Sequence, residues 1–168
     1  MSYKVKSTIV SMVTGVLLMA AYGIYAAGKV NAGAAALDDM KFWASTILTF
    51  IGIGIIAMIV IQIVFHILLA IGKAVQVQVT SGKVDDREIE RSLELDMVED
   101  EMDKLISLKS MRVGYAIGGL GFIAALVSLV MGRPAAVMLN ILFGAFYFGS
   151  LVEAVAQLFY YRRGIKNG

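Results

Sequence analysis

Gln62 and His66 stand four residues apart in one uncharged stretch, and Glu153 and Gln157 stand four apart in another. Residues four apart share a helix face, so each pair can present two polar groups in one direction. Counted at ~1.5 Å per residue, His66 lies about 10 Å and Gln62 about 16 Å above Lys73. On the same count Glu153 lies about 14 Å and Gln157 about 8 Å above Arg162, so the four groups overlap in depth. A carboxylate in hydrocarbon costs several kcal/mol unless it is neutralised, paired or wetted. The plainer reading is a structural hydrogen-bond cluster joining the two helices near Glu153; the sharper one is a ligand, ion or proton site.

Neither reading needs a cofactor. His66 is the one histidine and there is no cysteine, which excludes disulfides, thiolate metal sites and thiol redox chemistry. It also excludes paired axial haem ligands from a single chain. No phosphate loop, nucleophile elbow or zinc-protease motif occurs, so an enzyme and a nucleic-acid partner are not expected.

The elements that position these residues are membrane spans. The 168 residues are 59% hydrophobic and 17% charged, outside the usual range of water-soluble domains. Four stretches carry the excess: 7–28, 42–72, 113–132 and 134–161, the last interrupted by Glu153. Each exceeds the ~18 residues that indicate a span, so an all-α polytopic membrane protein with four transmembrane helices is predicted. The chain divides into a first transmembrane hairpin (1–73), a cytoplasmic acidic amphipathic segment (74–110), and a second hairpin with a basic tail (111–168).

Twelve of the fifteen Lys and Arg residues lie before span one, between spans two and three, or after span four. The positive-inside bias therefore predicts N and C termini inside, in the cytoplasmic membrane. The first apolar run is too long for a signal-peptide core and is read as a retained helix. Lys104, Lys109, Arg112, Arg162 and Arg163 are placed at lipid headgroups. Tyr22, Tyr25, Phe42 and Trp43 read as aromatic anchors at the opposite interface, as do Phe159, Tyr160 and Tyr161 at the inner one. Gly132-Arg133-Pro134 is a tight turn, with Pro in the first turn of helix four, which makes helices three and four antiparallel neighbours.

Gly114, Gly118 and Gly121 give helix three a small-residue face for close packing, on helix one or four or as a dimer seam. Asn140, Thr46, Thr49 and Ser128 read as helix-packing groups. Sliding the halves over each other matches 15–29 to 119–133, with Gly15, Ala20, Ala21 and Gly28 identical to their partners, and a second match, after a shorter outer loop, places Gln62 on Glu153 and His66 on Gln157. That is the pattern of a parallel two-hairpin pseudo-repeat.

Between the hairpins, residues 74–80 alternate apolar and polar, which suits a short strand or a continuation of helix two. Ile89, Leu93, Met97, Val98, Met102, Leu105 and Ile106 then recur at helical spacing, as in an amphipathic helix leading into helix three. Ten acids and two arginines crowd 85–103. Asp96, Glu99, Asp100 and Asp103 could share a face, but no calcium-loop pattern occurs, and no metal is expected. An Asp100–Lys104 pair is the expected use of these charges.

The run Asp100-Glu-Met-Asp-Lys-Leu-Ile-Ser-Leu-Lys109, with Glu153 followed by Gln157-Leu-Phe-Tyr-Tyr-Arg-Arg-Gly164, resembles a family of small four-helix membrane proteins of bacteria and archaea. Met102 stands where that family pattern has a basic residue. The resemblance implies the four-helix topology and, through neighbouring helix-turn-helix regulator genes, a stress or drug response; it implies no reaction. The expected function is a non-enzymatic regulatory or accessory membrane component acting through its cytoplasmic segment on a membrane or cytoplasmic protein partner. The alternative is a small homo-oligomeric transporter or channel using the Glu153 and His66 groups. Membrane lipids are partners in either case.

Overall fold

The structure, a computed structural model, describes residues 3–33, 38–81, 98 and 100–164. Four helices account for nearly all of them: α1 Tyr3–Asn31, α2 Met40–Ser81, α3 Glu101–Val130 and α4 Ala135–Arg163. All four are long and apolar enough to cross a membrane. The chain is therefore an all-α protein of four candidate spans.

α2 is continuous across residues 74–80, so the alternating stretch there extends the helix and forms no strand. Its 42 residues would rise about 63 Å, twice a hydrocarbon core of about 30 Å. Asp39 starts it, its Oδ1 accepting the Phe42 amide at 2.9 Å. α3 likewise runs unbroken from Glu101 through residue 112 into the apolar stretch, so 101–110 belong to the same rod as span three. The middle of the expected acidic amphipathic segment, 82–97 with Ile89, Leu93, Asp96 and Met97, lies outside the described residues, as does Glu99.

α3 and α4 form the tightest pair. The turn between them is set by Gly132 at φ +73, a left-handed conformation that glycine adopts without steric cost. The Arg133 amide donates to Ser128 O and the Gly132 amide to Leu129 O, closing the C-terminus of α3 in a Schellman turn. Pro134 is the N-cap of α4, one residue before the first helical turn where it was expected. Down the pair, buried Ile106, Ser110, Gly114, Gly118, Ala125 and Ser128 recur at spacings of three, four or seven residues as one stripe. A Cβ on Gly121 would stand 1.9 Å from Ala145 Cβ, and one on Gly149 would stand 2.8 Å from Gly114 O. These backbones meet as closely as they do because the side chains are missing.

α4 is the hub. It contacts α1, α2 and α3, whereas no Cα of α3 comes within 8 Å of α1 or α2 among the described residues. The residues matched by the internal repeat do not share environments in this arrangement. Gly15 faces α4, where a Cβ would meet Leu151 at 2.9 Å, while its partner Gly119 faces open space. Ala21 is exposed and its partner Ala125 is fully buried.

Two expected anchors are packing residues instead. Tyr22 is 5% exposed, its ring edge-on to Phe50 and Phe143 and its hydroxyl donating to Asn140 Oδ1. Trp43 is 2% exposed against Ala136, with Ala26 and Phe42 around it. Tyr25 does keep an exposed position, beneath the Lys29 ammonium. Position at the end of an apolar run says where a ring lies along the helix, not which way it faces.

Candidate functional site

The expected polar residues gather at the end of the bundle that holds Tyr3 and Arg163, and α1 organises them. Lys4, Ser7, Thr8 and Ser11 follow the i, i+3, i+4, i+7 spacing of one helix face. Gln62 of α2 donates to Ser11 Oγ at 2.7 Å and accepts from Ser7 Oγ at 3.2 Å. Gln157 of α4 accepts from Thr8 Oγ1 at 3.0 Å. The three hydroxyls thus bind one glutamine on each flanking helix.

His66 continues the α1–α2 seam one turn beyond Gln62. Its ring lies edge-on to Tyr3 with centroids 6.2 Å apart, and Phe65 packs on the same tyrosine. His66 and Gln62 share a face, as their spacing requires, but that face meets α1. No hydrogen bond among the described residues joins Glu153 to either of them. The direct meeting of helices two and four at Glu153 is corrected on this point: the α1 hydroxyls, at hydrogen-bonding distance from both glutamines, take the places that Glu153 was expected to fill.

Glu153 sits between two crevices. On one side it lines a cavity of about 290 Å3 with Lys4, Ser7, Thr8 and Ser11 of α1 and Ser150, Ala154 and Gln157 of α4. On the other it lines one of about 210 Å3 with Met111, Gly114, Tyr115, Phe146 and Ser150. Gly114 makes room for it, because a Cβ there would stand 2.8 Å from Glu153 Oε2. Glu153 is half-buried, and among the described residues it has no hydrogen-bond or ion-pair partner. Gln62 and Gln157 both have hydrogen-bond partners, and His66 has the ring contact with Tyr3.

Ser11, Ser150 and Ala154 also line a larger apolar cleft of about 370 Å3 between α1, α2 and α4, walled by Phe50, Phe143, Tyr147, Met58 and Leu18. Serine and threonine on α1 were not singled out in the sequence. Their i, i+3, i+4 spacing opposite Gln62 and Gln157 is the signal that could have marked them.

The acidic run before α3 is built into the fold. Asp100 is the N-cap, accepting from the Asp103 amide at 2.6 Å while Asp103 Oδ2 accepts from the Asp100 amide at 3.4 Å. Lys104 pairs with Glu101 at 3.0 Å, not with Asp100, whose carboxylate is occupied in capping. Tyr161 donates to Asp103 Oδ1 at 2.6 Å, tying the first turn of α3 to the last turns of α4. No group of three or more metal-ligating side chains occurs among the described residues. Lys104, Lys109 and Arg112 lie in the opening turns of α3, and Arg162 and Arg163 end α4, with the Arg163 guanidinium over the Phe159 ring. Gly114 and Gly118 pack on Glu153 and Phe146 of α4, and Gly121 on Ala145, so these three serve the α3–α4 pair.

In comparisons with family models, curated proteins and solved structures, the chain matches none.

Proposed function

We infer that this is a non-enzymatic membrane protein that takes a cation at Glu153 and carries it across the bilayer. The observation that supports this reading is the unpartnered Glu153 carboxyl lining an open polar cavity within an apolar span. A structural acid would be held by donors, as Gln62 and Gln157 are; a carboxyl left open among hydroxyls is relieved by a mobile cation or proton. The transport alternative thereby gains weight over a role confined to the cytoplasmic segment. Chemistry on a substrate has little equipment here, with one intramembrane acid and one histidine packed against Tyr3.

The reading includes residence in the cytoplasmic membrane with both termini inside, supported by the distribution of Lys and Arg. It also includes membership of the small four-helix bacterial and archaeal family. The two stretches 100–109 and 153–164 that carry the resemblance support that.

The test is uptake of radiolabelled tetramethylammonium, a permanently charged probe, by proteoliposomes holding the purified protein alone. Uptake above empty liposomes, reduced to their level by Glu153→Gln, is expected; uptake unaffected by that substitution overturns the reading.

A regulatory or accessory role is the second reading, favoured by the Tyr161–Asp103 bond, through which a partner on the cytoplasmic segment would act on the α3–α4 hairpin. It predicts co-purification of one defined partner, lost on Tyr161→Phe, and no uptake by the protein alone.

A further inference from the structure

We propose that the ligand is a lipophilic organic monocation, its charge at Glu153 and its apolar body in the cleft between α1, α2 and α4. This rests on the cation-site reading and adds the chemical class of the occupant.

The polar cavity and the apolar cleft adjoin, with Ser11, Ser150 and Ala154 lining both. The cleft volume, about 370 Å3, lies in the range of small-molecule sites. Phe50, Phe143 and Tyr147 line it, and aromatic rings attract weakly hydrated cations. Ile51 and Ile55 line the cleft and are exposed, so the cleft opens at the surface of the bundle, where a molecule dissolved in lipid can enter.

Charge and depth exclude other occupants. Among the described residues Glu153 is the one carboxylate lining the cavity, so it balances at most one positive charge. A hard divalent ion needs six or more oxygen ligands and is held chiefly by carboxylates, whereas the cavity lining holds one carboxylate with neutral hydroxyls and Gln157. A phospholipid with its tails in the cleft would bring its phosphate or ester oxygens to the depth of Glu153, where like partial charges repel. A hydrophobic cation reverses that sign and keeps the apolar fit.

Equilibrium dialysis of the full-length protein in detergent tests this with tetraphenylphosphonium, tetramethylammonium and neutral triphenylphosphine oxide. Tetraphenylphosphonium should bind saturably and at least tenfold more tightly than either of the others. Glu153→Gln should weaken it at least tenfold. Gly54→Leu, whose Cβ meets nothing closer than Leu18 Cδ1 at 3.7 Å, should fill the cleft. It should weaken tetraphenylphosphonium at least tenfold and leave tetramethylammonium unchanged; Phe50→Leu, which removes a wall, is the second cleft variant. Equal binding of the two cations would overturn the proposal and leave the cation site standing. Binding of neither cation would overturn both. Binding of the phosphine oxide as tight as that of tetraphenylphosphonium, indifferent to Glu153→Gln, would overturn the role of charge.

Discussion

The Tyr161 hydroxyl donates a 2.6 Å hydrogen bond to Asp103 Oδ1 across 58 positions of sequence. Asp103 also completes the capping box of α3, so one carboxylate both starts that helix and fastens it to α4. Removing the hydroxyl with Tyr161→Phe should cost about 1.5–3 kcal/mol, the range for a hydrogen bond to a charged group. Asp103→Ala loses the cap as well and should cost more. Thermal unfolding in detergent checks the order; equal losses would show that the two roles are not combined.

Close approach of α3 and α4 gives a sharper contrast. Gly121→Ala places a methyl 1.9 Å from Ala145 Cβ, and Gly119→Ala places one in open space. Overpacking of this kind costs about 1–3 kcal/mol. The first substitution should lower the unfolding temperature and the second should leave it unchanged or raise it, since alanine is the better helix former. Equal effects would contradict the α3–α4 contact at Gly121.

Tyr22 joins α1, α2 and α4 through ring and hydroxyl. Tyr22→Phe keeps both edge contacts and loses the bond to Asn140, a cost of about 1 kcal/mol. Tyr22→Ala leaves a cavity and should cost about 3–5 kcal/mol. A headgroup anchor would show neither the size nor the order of these losses in detergent.

The four spans were legible because uncharged runs of this length have no alternative in water. The α3–α4 turn was legible because Gly132 and Pro134 each restrict the backbone in a known way. The inner ends of α2 and α3 were harder. Residues 74–80 alternate like a strand, yet α2 arrives there already propagating, and adding residues to a formed helix is far easier than starting a new element. For the site, the depth of Gln62, His66, Glu153 and Gln157 could be counted, but azimuth could not. Which helix each face meets depends on packing, and Ser7, Thr8 and Ser11 are ordinary in membrane helices, where hydroxyls also bond back to their own backbone. Tyr22 and Trp43 were misread for the same reason.

Orientation has its own check in this cysteine-free chain. Single cysteines at Asn31 and Arg133 should react with an impermeant maleimide added outside intact cells, and one at Gly164 should react only after lysis. The reverse pattern would place both termini outside.

Glu153 itself can be interrogated by dicyclohexylcarbodiimide, a lipid-soluble reagent that modifies carboxyl groups within membranes, with the modified peptide read by mass spectrometry. The account predicts labelling at Glu153, abolished by Glu153→Gln and slowed severalfold when tetraphenylphosphonium occupies the site. Labelling at Glu153 that proceeds at the same rate with and without tetraphenylphosphonium and tetramethylammonium would contradict it.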